Sequence, residues 1–115
     1  MPPFTLDVQK VASSIDDVKV YQLKGKLSLE TVAGFIPQMR AETSNHLILE
    51  MSGVSFLDSA GVGALVSLFV SRRSQGKTIA LAALTAQATA VLTVAGLQKL
   101  LPVSKTVHEA IAGGS

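Results

Sequence analysis

The chain has 115 residues, 48% of them hydrophobic and 16% charged, with a formal net charge of +2. That length supports one core of ordinary size, and the apolar share is that of a folded domain, not a disordered segment. Arg72-Arg73 is the sole adjacent basic pair, which falls short of the dense basic stripe of a nucleic-acid binder, and the lack of cysteine excludes disulfides, thiolate nucleophiles and Cys-ligated metals.

The opening Met1-Pro2-Pro3 has no basic segment followed by an apolar stretch, so no secretory signal is read there. No apolar run reaches the roughly 20 residues a membrane span requires. No membrane insertion is expected, and the cytoplasm is the expected compartment. Phe4 to Val11 alternates apolar and polar residues, the period of a half-buried strand. Ser13 to Asp17 carries turn chemistry. Val18 to Leu23 alternates again, and Gly25 is read as its end. Two such runs across a short polar turn predict an antiparallel hairpin.

Ser28 is read as a helix cap, followed by the stripe Leu29, Val32, Ile36 and Met39. Pro37 interrupts it at a cost of about 3 kcal/mol, so a kink, or a break near Phe35, is expected. His46 to Met51 predicts a strand covered on both faces, because Leu47, Ile48 and Leu49 are apolar in succession. Ser52 to Leu57 is read as a loop. From Gly61 to Arg73 the stripe Val62, Leu65, Val66 and Phe69 predicts a helix, ended at Gln75-Gly76. Thr78 to Ala82 is a short strand. Thr85 caps a helix with the stripe Ala88, Val91, Leu92 and Ala95, stopped by Gly96. Leu100 to Val103 is read as a last strand and Lys105 to Ala112 as a terminal helix, with Gly113 to Ser115 a frayed tail. Strands alternating with helices imply an α/β domain over residues 1–112, with one mixed sheet, about four helices and right-handed parallel crossovers.

The most unusual stretch is Gly53-Val54-Ser55-Phe56-Leu57-Asp58-Ser59-Ala60-Gly61-Val62-Gly63. It follows a buried strand and opens a helix. Asp58 or Ser59 stands at the cap, where a side-chain oxygen accepts from unpaired N–H groups. Gly61 and Gly63 each cost about 1 kcal/mol against alanine in a helix. They serve either close packing against the sheet or access to Ser59. A phosphate on Ser59 would be favoured by the helix N-terminus and would add up to two negative charges beside Asp58.

The run Leu47-Ile48-Leu49-Glu50-Met51-Ser52-Gly53-Val54-Ser55-Phe56-Leu57-Asp58-Ser59-Ala60-Gly61 resembles the signature of STAS domains in anti-sigma factor antagonists. Gly25-Lys26-Leu27 before the first helix and Gly96-Leu97 near the last strand resemble the family too. The resemblance implies a non-enzymatic, cofactor-free switch. Ser59 would be phosphorylated by an anti-sigma factor with serine kinase activity. The unphosphorylated form would bind that factor and release a sigma factor, and a phosphatase would reset the switch. Asp58, Ser59, Ala60, Gly61, Val62 and Ser28 would form the partner surface, and Leu84 and Thr85 are placed at its edge because their loop leaves the next strand at the same end of the sheet. The family commonly carries Gly-x-Leu-Asp where this chain reads Gly25-Lys26-Leu27-Ser28. An alternative keeps the fold and makes the chain a scaffold, in a stressosome or beside a lipid-transport ATPase, without phosphorylation.

Other constellations are weaker. Ser59, Asp58 and either His46 or His108 lack the Gly-x-Ser-x-Gly setting of a hydrolase, and both histidines are read as surface residues. Two histidines without clustered carboxylates make no metal site. Gly61-Val62-Gly63 lacks the third glycine of a dinucleotide fingerprint. Gly76-Lys77-Thr78 enters a strand where a phosphate-binding loop would enter a helix.

Overall fold

The computed structural model describes residues 5–11 and 15–113. Phe4, Ser13 and the last two residues of the expected tail lie outside them. The elements are β1 (Leu6–Val11), β2 (Val18–Leu27), α1 (Val32–Arg40), β3 (His46–Leu57), α2 (Ser59–Ser74), β4 (Thr78–Ala82), α3 (Ala86–Val94), β5 (Val103–Ser104) and α4 (Val107–Gly113). The sheet order is β1-β2-β3-β4-β5. β1 runs antiparallel to β2, and every later pair is parallel. Because each parallel step moves the same way across the sheet, right-handed crossovers place α1, α2 and α3 on one face.

The burial pattern follows that arrangement. Leu47, Leu49 and Met51 of β3 and Ile79 and Leu81 of β4 join Phe35, Met39, Leu65, Leu68, Ala88 and Leu92 in the main core. Ile48 and Ala82 point the other way, to a smaller cluster with Val18, Val20 and Ala110 of α4. The successive apolar residues of β3 thus do serve two covered faces.

Several expected boundaries are corrected. Ser52 to Leu57 is not a loop but the second half of β3. Its pairing with β2 slips twice, between Gln22 and Lys24 and between Gly25 and Lys26. Each slip inserts a residue into β3 and turns the strand over. Met51, Val54 and Leu57 therefore all face inward, although their spacing in the chain fits no period of two. Gly25 does not end β2, which continues to Leu27 with φ +115° at the glycine. A Cβ there would stand 2.2 Å from the Thr5 carbonyl oxygen, so the glycine serves the close approach of β2 to the segment entering β1.

The first helix starts four residues after Ser28 and is not capped by it. Leu29 leaves the stripe and is 69% exposed. Pro37 sits inside α1 without breaking it at Phe35. Phe35 and Met39, 2% and 1% exposed, anchor the helix on either side of the proline. The final strand is Val103–Ser104, not Leu100 to Val103, because Pro102 has no N–H to pair. Leu101 is apolar because it enters the main core. Gly113 closes α4 and does not begin a tail.

The end of the sheet where β2, β3 and β4 begin is tied by polar contacts. Arg72 is 5% exposed. It donates through Nε to the Thr78 carbonyl (2.8 Å) and through Nη2 to the Ser44 carbonyl (2.6 Å). Glu42 accepts from the Tyr21 hydroxyl and the Ser44 N–H, and pairs with Lys10 at 3.2 Å. Burial alone would raise the Glu42 pKa, but these donors outweigh it and hold the carboxyl at about 2.

Candidate functional site

At the opposite end of β3 the chain turns directly from Leu57 into α2, and Asp58 makes that turn possible. Its extended backbone (φ −111°, ψ −176°) is that of an N-cap, and its Oδ1 accepts from the Gly61 N–H at 2.9 Å. Its Oδ2 accepts from the Leu29 N–H at 3.1 Å. One carboxylate thus joins the start of α2 to the turn after β2. Ser59 follows as the first residue of the helix and is exposed, while Ala60 is half-buried.

Gly61 is buried, and a Cβ on it would lie 2.3 Å from the Leu27 carbonyl oxygen. Close packing against the sheet therefore accounts for this glycine. Nothing stands within 4 Å of where a Cβ on Gly63 would be, so that position is open. Val62 is 7% exposed and reaches the core.

Ser28 lies in the turn whose next N–H is held by Asp58. It is 1% exposed, and its hydroxyl donates to Glu30 Oε2 at 2.9 Å. A carboxylate does reach this turn, from two residues further along the chain. The Thr31 hydroxyl donates to the Lys26 carbonyl and accepts from the Ser28 N–H, which folds the turn back onto the strand end. With the Ser28 hydroxyl turned to Glu30 and that of Thr31 to the strand end, neither side chain caps α1.

Leu84 packs partly against the main core. Thr85 does cap α3, accepting from the Ala88 N–H at 3.1 Å. Both adjoin the site through a residue the sequence did not single out. Gln87, in the first turn of α3, accepts from the Leu57 N–H and donates to the Leu57 carbonyl, each at 2.9 Å. β4 pairs with β3 only as far as Glu50. The Gln87 amide therefore stands in for the missing strand neighbour at Leu57. Its trace in the sequence is a lone amide among the alanines and threonines of α3.

Between α2 and α3 runs an apolar groove of about 400 Å³, lined by Ser59, Val62, Ala90, Val91, Val94 and Ala95. Neither histidine is near it. His46 begins β3, with Nδ1 bonded to Thr78 Oγ1 at 2.8 Å, and His108 is on α4 across the sheet. Ser59 therefore has no imidazole base beside it, and the hydrolase geometry is not formed.

The STAS domain model matches residues 9–110. The chain belongs to the STAS domain family. An anti-sigma factor antagonist from Mycobacterium paratuberculosis is 19% identical with a TM-score of 0.83, over 96% of this chain and 95% of that one. The antagonist SpoIIAA in its unphosphorylated form is 20% identical with a TM-score of 0.73, over 91% and 93%. A murine solute carrier 26 family anion transporter in its inward-facing state is 28% identical with a TM-score of 0.76, over 88% of this chain but 18% of the transporter. Among the described residues of this STAS domain, no helix is long and apolar enough to cross a membrane.

Proposed function

We propose that this STAS protein is an anti-sigma factor antagonist, a cytoplasmic binding switch that is turned off by phosphorylation of Ser59. The observation that carries the reading is the exposed Ser59 hydroxyl on the first turn of α2, directly beside the capping carboxylate of Asp58. In the neutral state the partner, an anti-sigma factor with serine kinase activity, meets a hydroxyl flanked by apolar surface. Binding it releases a sigma factor. A phosphate adds up to two negative charges. The helix N-terminus tolerates them, but the complex would have to strip water from a dianion lying beside Asp58, at a cost of several kcal/mol. Each 1.4 kcal/mol is about tenfold in affinity, so the phosphorylated form dissociates, and a phosphatase restores it. Ala60 borders the contact, Ser28, only 1% exposed, lies beneath it instead of on it, and Leu84 and Thr85 support its edge through α3.

The test is intact mass and affinity measured together, on wild type and Ser59→Ala, with candidate anti-sigma kinases and ATP. The expected result is a gain of one phosphate that Ser59→Ala abolishes, with at least tenfold weaker binding after modification. Modification at another residue, or unchanged affinity afterwards, contradicts the switch.

A second reading is favoured by one observation, the 28% identity to the domain of the murine anion transporter, above that to either antagonist named here. In that case the domain is a scaffold within a larger assembly and Ser59 stays unmodified. Binding without any phosphate gain would support it.

A further inference from the structure

Helix α3 lies at the surface yet carries no charge. Between Lys77 and Lys99 no Asp, Glu, Lys or Arg occurs, in a chain that is 16% charged. Only Ala88 and Leu92 of α3 are buried. Its outer side is left to alanine, threonine and Val94, which is 89% exposed, the most open large apolar side chain among the described residues. This side forms one wall of the apolar groove, and Ser59 stands in the other wall.

We infer that the α2–α3 groove seats an apolar ridge of the same anti-sigma factor kinase that modifies Ser59, with Val94 and Ala90 as its contact points. The inference rests on the antagonist reading and adds the docking surface to it. Continuity of surface identifies the occupant. An enzyme that reaches the Ser59 hydroxyl comes up against the groove, because that serine is part of its lining. The chemistry of the occupant follows from the lining, since an apolar wall without a charged side chain rewards apolar contact and penalises a buried charge. Leu29, held through its N–H by Asp58 and 69% exposed, and Phe56, 42% exposed, extend apolar surface around the same end of the sheet. The switch then acts locally. A phosphate on Ser59 places a dianion in the wall of the groove, and the ridge is repelled with no rearrangement of the fold.

The test uses Val94→Lys and Ala90→Lys, with Val70→Lys on α2 as control. Val70 is 57% exposed and lies outside the groove. All three positions are exposed and lysine is a good helix former, so all three should keep the wild-type melting temperature. The groove variants are expected to lose at least tenfold in affinity for the kinase that modifies wild type, and to be phosphorylated correspondingly more slowly at low concentration. Val70→Lys should match wild type. If the groove variants bind and are phosphorylated like wild type, the docking inference falls and the antagonist reading stands. If no anti-sigma kinase binds wild type, both fall. A wild-type dimer in sedimentation that Val94→Lys dissolves would assign the groove to a second copy and overturn the inference.

Discussion

Asp58 and Gln87 each use one side chain to hold two backbone groups, and both act within one residue of Leu57. Asp58 closes the first turn of α2 and the turn after β2. Gln87 satisfies the N–H and the carbonyl of Leu57, a residue only 1% exposed. A buried polar group left without a partner costs about 1–3 kcal/mol, whereas a lost N-cap costs about 1 kcal/mol. With both groups of Leu57 orphaned, Gln87→Ala should therefore destabilise by about 2–6 kcal/mol, more than Asp58→Ala, whose second acceptor serves the exposed Leu29, where water can replace it. Gln87→Glu should be at least as harmful, since a carboxylate would replace the donor that faces the Leu57 carbonyl. Urea denaturation of the variants checks the order. Asp58→Ala proving the worst of the three would show that the amide has water as a substitute.

At the scale of elements, sequence periodicity located what alternates and missed what slips. β1, β4, α2 and α3 were legible because each presents apolar residues to the main core at the period of its element, Leu6 and Val8 of β1 partly buried and Ile79 and Leu81 of β4 fully so. The second half of β3 was not, because two bulges against β2 re-aim Val54 and Leu57 inward at irregular spacing. Ser28 looked like a cap by type, but its position is fixed by the Thr31 hydroxyl and the end of β2. The signature around Asp58 and Ser59 was readable as a motif, and Asp58 does cap α2. Gln87 stood out only as a lone amide and its role was not legible, because that role depends on β4 stopping short. The opposite end of the sheet carries a prediction in pH. Glu42 joins β1, β2 and the entry to β3, and its pKa is held at about 2 against an ordinary value of 4.5. A depressed carboxyl pKa gives stability that is complete above the ordinary value and is lost as pH falls towards the folded one. The stability difference between wild type and Glu42→Gln should therefore be greatest above pH 4.5 and shrink between about pH 4.5 and 2. Urea midpoints across that range check it, and a difference constant with pH would rule out the ionised carboxylate as its source.

For the molecule as a whole, the two ends of α2 are fastened in different ways. Arg72 binds backbone carbonyls at the entries to β3 and β4, while Asp58 and Gln87 fix the exit of β3. Between them the helix buries Leu65 and Leu68 against the sheet. Ser59 is thereby an exposed group on a base tied at both ends. A kinase that docks here meets a surface drawn from three separate stretches of chain, around Leu29, Ser59 and Val94, in fixed relative positions. A synthetic peptide spanning Ser52 to Leu65 would carry the same serine and neighbours. It would lack the other two stretches and would have to be ordered during each encounter. Such a peptide should be a far poorer substrate than the folded domain, visible as a large drop in kcat/KM. What the enzyme reads, in that case, is a shape assembled by folding, so a search for linear consensus sites would overlook it.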